Sequence, residues 1–99
     1  MKTPLTLDSV LEEKLQDSEF REHYEQAYYE FRIADKIAKA RKSAGLTQKQ
    51  LADQIGTTRK TICRLENASN RSYTLQMLHK IAVAMGMELD IQFRPREKI

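Results

Sequence analysis

Very little in this chain supports covalent or metal chemistry. Its 99 residues hold one cysteine, Cys63, so no internal disulfide can form, and the expected compartment is a reducing cytosol. No apolar run approaches the roughly 18 residues of a membrane span, and no apolar stretch follows the N-terminus to serve as a signal peptide. The two histidines, His23 and His79, are isolated, with no Cys/His/Asp set at metal spacing and no glycine-rich phosphate loop. The expectation is therefore no metal, no cofactor, no catalytic residue and no membrane partner. A hydrophobic content of 40%, with 7% aromatic, fills the core of one small helical domain but not a large catalytic cavity.

The net charge of +3 hides a polarity. Residues 1–35 carry four basic side chains against nine acidic ones, and residues 36–99 carry thirteen against five. A basic domain with an acidic arm implies two partners of opposite charge, nucleic acid and a basic protein, unless the acidic stretch only keeps the chain soluble.

The pattern is sharpest in TQKQLADQIGTTRKTICRLE, residues 47–66. Thr47 has N-cap chemistry and Gln50, three residues on, completes a capping box. Leu51, Ala52 and Ile55 share a face, and Gly56 ends that helix in the left-handed conformation. Thr57 or Thr58 caps a second helix that buries Ile62 and Leu65 and turns Arg59, Lys60, Thr61, Cys63 and Arg64 outward. Two short helices over a glycine turn, the second rich in arginine, are the sequence form of a helix-turn-helix.

Before it, Pro4 opposes an early helix, and residues 1–7 are expected to fray. Asp8 or Ser9 can cap a short helix, Val10 to Gln16, and Asp17 or Ser18 a second one. From Glu19 to Gly45 there is neither glycine nor proline, which allows one long helix or two nearly collinear ones. Two apolar stripes run along it. Phe20, Tyr24, Ala27, Tyr28, Phe31, Ala34 and Ala38 form one; Ile33, Ile37, Ala40 and Ala44 form another about 150° round. The second stripe belongs to the bundle. The aromatic one either takes Leu5, Leu7, Val10, Leu11 and Leu15 in an intramolecular groove or binds a partner, while Tyr29 between the stripes is exposed.

Residues 67–73 (NASNRSY) read as a loop. Ser72 or Thr74 then caps a helix from Leu75 to Met85 with Leu75, Leu78, Ile81, Ala82 and Met85 inward and Gly86 at its end. Beyond it the period changes to two. Met87, Leu89, Ile91 and Phe93 alternate with Glu88, Asp90, Gln92 and Arg94 up to Pro95, which is a half-buried strand. No second strand exists for it to pair with, so antiparallel pairing with another copy about a two-fold axis is expected, making a homodimer. The fold expected is an all-α helix-turn-helix bundle with an N-terminal helical arm (1–31), the bundle proper (32–86), and one C-terminal β-strand and tail (87–99) paired across the dimer.

In such a bundle the start of the second short helix reaches base edges in the major groove. Arginine grips guanine O6 and N7 with two bonds, lysine reaches the same acceptors, and a threonine methyl suits thymine. The candidates are Thr58, Arg59, Lys60, Thr61 and Arg64, with Asn70, Arg71 and Ser72 of the next loop on phosphates. A two-fold dimer implies a near-palindromic duplex with half-sites about 34 Å apart or a multiple of that.

The stretch GLTQKQLADQIGTTRKTICRLEN resembles the Cro/C1-type (XRE) helix-turn-helix family, whose members have the lambda-repressor-like fold. The resemblance spans Ile33 to Gly86 through Gly45-Leu46-Thr47-Gln48, Leu51-Ala52, Gly56 and Glu66. It implies that Gln48 lies on the DNA backbone and that Glu66 pairs with Arg41 as a structural ion pair. Ala68 departs from the glycine that family places after the recognition helix, and Asn67 is a left-handed alternative.

The arm and helix-turn-helix together, LQDSEFREHYEQAYYEFRIADKIAKARKSAGLTQKQLA, look like the N-terminal part of HigA-type antitoxins. That second resemblance implies a cytoplasmic, nucleoid-associated antitoxin that neutralises a basic HigB/RelE-type mRNA endonuclease and represses its own operon. Phe20, Tyr24, Tyr28 and Phe31, with Glu19, Glu22 and Glu25, would then meet the toxin. The alternative is a stand-alone repressor of the XRE family without a toxin partner.

Overall fold

The computed structural model describes residues 7–68 and 73–96, the side chains of Leu7 and Asp8 excepted. Among these residues there are five helices and no strand: α1 (Leu7–Lys14), α2 (Ser18–Ser43), α3 (Gln48–Ile55), α4 (Arg59–Glu66) and α5 (Leu75–Ala84). Pro4 and Leu5, together with the loop candidates Asn70, Arg71 and Ser72, lie outside the described residues, as do the side chains of Leu7 and Asp8.

The helix ends follow local chemistry. Asp17 caps α2, its carboxylate accepting from the backbone N–H of Glu19 at 2.9 Å and of Phe20 at 3.1 Å. With no glycine or proline to interrupt it, α2 continues for 26 residues, about 39 Å. It is a single helix running through residues 31 and 32, and it gives the molecule its length of 57 Å against widths of 28 and 22 Å. The Thr47 capping box is complete, with Gln50 N–H donating to the threonine hydroxyl at 3.0 Å and Thr47 N–H donating back to the Gln50 carboxamide oxygen at 2.8 Å.

Gly56 (φ 73°) ends α3. Thr57 N–H reaches the Ala52 carbonyl at 2.9 Å and Gly56 N–H that of Asp53, so two carbonyls at the helix end are satisfied in the turn. Of the alternatives for α4, Thr58 is the cap. Thr74 caps α5.

The core is formed by Ile37, Leu51, Ala52, Ile62, Leu65 and Ile81, with Ile33, Leu46, Ile55, Tyr73, Met77, Leu78 and Met85 packed around it. Leu51, Ile62 and Leu65 are the largest fully buried side chains. Burying each contributes about 1.5–3 kcal/mol.

Four expectations need correction. The first helix starts at Leu7, ahead of the Asp8/Ser9 cap. Ala34 is buried and belongs to the core edge rather than to the aromatic stripe; at 100° per residue it lies only 60° from Ile37. Leu75 is 64% exposed, because it lies about 120° round α5 from the buried Ile81, on the side that lines an open groove with His79 and Val83. After α4 the left-handed residue is Ala68 (φ 60°), whereas Asn67 has φ −111°.

The tail from Met87 to Arg96 contains no turn or bend and forms no ladder with any other described residue. Its far end is tied to α2 by a two-pronged ion pair in which Arg96 donates to both Glu25 carboxylate oxygens, at 2.6 and 3.2 Å.

Candidate nucleic-acid interface

The site starts from the tilt of α4. Ile62 and Leu65 are fully buried against α2 and α3, so the opposite side of this two-turn helix must face outward. Arg59, Lys60 and Arg64 are exposed there, and Thr61 and Cys63 are half-buried beside them. The Thr58 hydroxyl accepts from Thr61 N–H at 3.2 Å and lies 3.1 Å from the Thr61 hydroxyl. Thr61 is thereby drawn onto the cap, which gives it a structural task that the sequence pattern did not reveal.

Glu66 ends the same helix and is nearly enclosed. Arg41 Nε donates to one carboxylate oxygen at 2.6 Å and Arg41 Nη2 to the other at 2.9 Å. The third arm of the guanidinium donates to the Leu46 carbonyl at 2.8 Å. Hydrogen bonding to Glu66 raises the Arg41 pKa further, against the opposing effect of burial. The pair thus joins α2, α4 and the turn before α3, and it neutralises the one acid of α4.

The Gln48 carboxamide N–H donates to Glu66 at 3.2 Å. Gln48 was expected on a phosphate; in the free subunit its side chain is held at the start of α3 by the acid of α4. The polarity of Gln48 and Glu66 was visible in the sequence, but their meeting depends on how α3 crosses α4. Lys49 sits near its own Asp53 at 3.5 Å on an exposed surface, where such pairs contribute little.

Tyr73 was read only as the end of a loop. Its hydroxyl donates to the Leu65 carbonyl at 2.8 Å and so ties the segment before α5 to α4. Burial pushes the phenol pKa up, and the charge of Glu30 adds to this.

A short helix carrying two arginines and a lysine outward, steadied by a preceding helix over a left-handed glycine, is now a matter of geometry. A family model described as helix-turn-helix matches residues 37–92. The chain belongs to the helix-turn-helix family. A relative from Methanothermobacter thermautotrophicus, which bears the name uncharacterized HTH-type transcriptional regulator, is 46% identical over 52 residues, covering 52% of this chain and 74% of its own. No solved structure matches. Family and relative together place this helix-turn-helix protein among DNA-binding transcriptional regulators.

The other candidates lie on α2, between residues 19 and 31. Along α2, Tyr24, Tyr28, Tyr29 and Phe31 are exposed, while Phe20 is half-covered, with the Lys14 ammonium 5.6 Å from its ring centre. Glu19 and Glu22 are exposed, whereas Glu25 is engaged by Arg96. Among the described residues no three His, Cys, Asp or Glu side chains gather as metal ligands, and no helix is long and apolar enough to cross a membrane.

Proposed function

We propose that the protein is a sequence-specific transcriptional repressor that binds a near-palindromic operator as a homodimer in the cytoplasm, at the nucleoid. The observation that carries this reading is the outward row Arg59, Lys60 and Arg64 on a helix whose opposite side is fully buried. Arg59 and Lys60, in the first turn, read base edges, and Arg64, about a turn later, reaches a base or a phosphate. Thr58 and Thr61 set the height of that turn, and Gln48 contacts the backbone at the N-terminus of α3, where free N–H groups favour phosphate. Asn70, Arg71 and Ser72 extend the phosphate contacts. Met87, Leu89, Ile91 and Phe93 join two copies, since among the described residues the tail has no strand partner. Selection of duplexes from a random pool, followed by a mobility-shift titration, tests the reading; failure to enrich any inverted repeat would overturn it.

A second reading rests on one further observation: the aromatic side chains of α2 stand in solvent beside Glu19 and Glu22. An acidic helix that exposes Tyr24, Tyr28 and Phe31 suits a basic protein partner, as in an antitoxin that holds an mRNA endonuclease inactive. The family and relative matches do not speak for such a partner, so the plain regulator comes first. Co-expression with the product of the neighbouring gene separates the two. Co-purification that is lost when Tyr28 and Phe31 are replaced would favour the antitoxin.

A further inference from the structure

The tail can meet its own copy in only a few ways, and the side chains choose among them. Residues 87–96 run without a turn or bend, and among the described residues none of the backbone groups of 88–96 bonds to another backbone group. The Gln92 carboxamide donates to the Asp90 carboxylate at 3.0 Å, so these polar side chains share one face of an extended segment. The apolar residues on the other face are poorly covered. Phe93 is 97% exposed and Ile91 56%. Beside them lies an open groove of about 940 Å³ between α5 and the tail, lined by Leu75, His79, Val83, Met87, Leu89 and Ile91 among others. A protruding ring and an unfilled groove on one surface are what a self-complementary two-fold contact needs.

An antiparallel pairing keeps both apolar faces together only if the axis passes through a residue; an axis between residues would put apolar against polar. An axis at Asp90 sets that carboxylate opposite itself, and one at Leu89 sets Glu88 against Asp90; like charges directly opposite destabilise a pair. An axis at Gln92 sets Asp90 opposite Arg94, but it leaves Met87 unpaired among the described residues and sets Glu88 opposite Arg96, which the Glu25 carboxylate already holds within its own subunit. An axis at Ile91 pairs residues 87–95 throughout, with Glu88 opposite Arg94 and Asp90 opposite Gln92. It also puts Pro95 opposite Met87. Proline has no N–H to give, so that pair must be of the non-hydrogen-bonded kind, and alternation along the ladder makes the central pair the same.

We propose that two copies pair antiparallel through residues 87–95 with Ile91 on the two-fold axis, Glu88 opposite Arg94, and Phe93 of each copy in the other's α5 groove. The last element follows from the register, because Phe93 of one copy stands opposite Leu89 of the other, and Leu89 lines the groove. The proposal rests on the homodimer reading above and is independent of which duplex the protein binds.

Cysteine scanning in the full chain with Cys63→Ser tests it. Non-hydrogen-bonded antiparallel pairs hold their Cα atoms about 4.5 Å apart, within disulfide range. Ile91→Cys is therefore expected to give a covalent dimer on mild oxidation, whereas Asp90→Cys and Gln92→Cys remain uncrosslinked. Phe93→Ala raises the dimer dissociation constant about 100-fold, as two buried rings are lost. Glu88→Arg raises it about ten-fold, and adding Arg94→Glu restores it. Preferential crosslinking at Asp90→Cys or Gln92→Cys would overturn the register while leaving the homodimer in place. A monomer by light scattering at all concentrations would overturn the homodimer reading and the register together. These side chains are exposed in the subunit, so an unchanged helical circular dichroism spectrum shows that the variants fold.

Discussion

The helix-turn-helix bundle and its two appendages contain similar apolar residues but treat them differently. Among the described residues the largest fully buried side chains, Leu51, Ile62 and Leu65, lie between residues 51 and 65, while the large apolar side chains that remain exposed lie on the arm half of α2, the outer side of α5 and the tail. The bundle satisfies its own faces by one capping box, threonine N-caps, glycine turns and one enclosed ion pair. The arm and the tail have stripes of the right period, but among the described residues Tyr24, Tyr28 and Phe31 of the one and Ile91 and Phe93 of the other stay exposed. The first region buries its own apolar faces; the others leave theirs open in the subunit.

Removing the enclosed charge of Glu66 should break this contrast most severely. Glu66→Ala leaves Arg41 nearly enclosed without its acid and frees Gln48, so a loss of about 3 kcal/mol in urea unfolding is expected. That is a large share of the 5–15 kcal/mol by which small domains hold together. A loss below about 1 kcal/mol would mean that the pair behaves as an ordinary surface contact. Next in size is Arg59→Ala, which should leave unfolding unchanged but cost about 1–3 kcal/mol of discrimination at one operator base pair, read by competition with single-base variants. Equal weakening on all duplexes would move Arg59 from base to phosphate.

The same contrast explains what could be read from the sequence. The capping box at Thr47, the turn at Gly56 and the inward pair Ile62 and Leu65 depend on residues a few positions apart, and each was legible there. The long α2 was legible as one of two options, since a missing breaker does not say whether a helix bends. Ala34 was misplaced because it stands where the two stripes of α2 meet, and only the crossing of α2 over the bundle decides which stripe owns it. Leu75 was misplaced because it stands at the margin of the inward stripe of α5, on the side that opens to a groove with His79 and Val83. The meetings of Gln48 with Glu66 and of Arg96 with Glu25 join residues 18 and 71 positions apart, and no local pattern encodes them.

In the turn after α4, local chemistry and conformation disagree. Ala68 adopts φ 60°, a region that costs a residue with a Cβ roughly 1 kcal/mol and a glycine almost nothing. Ala68→Gly should therefore stabilise the protein by about 1 kcal/mol, despite the greater freedom glycine gives the unfolded chain, and thermal unfolding measures it. A destabilisation would mean that the Ala68 methyl group is held by packing strong enough to outweigh the strain.

The arm is expected to matter little to stability, and it sharpens the contrast most directly. Tyr28 and Phe31 are 51% and 62% exposed on α2, and their rings are not part of the bundle core. Replacing both by serine should change the unfolding free energy by no more than about 0.5 kcal/mol, since surface substitutions away from caps, cores and ion pairs rarely do more. The same double variant should lose any protein that the wild-type arm captures, because the anchors of a helix laid in a groove carry most of its affinity. A drop in stability of 2 kcal/mol would instead show that the aromatic stripe is covered within the subunit, and the arm would then belong to the self-sufficient region. An unchanged stability with unchanged capture would place the contact on the acidic residues alone. Reversing Glu19 and Glu22 to lysine would then abolish binding where the aromatic changes had not, because charge rather than buried area would be holding the partner.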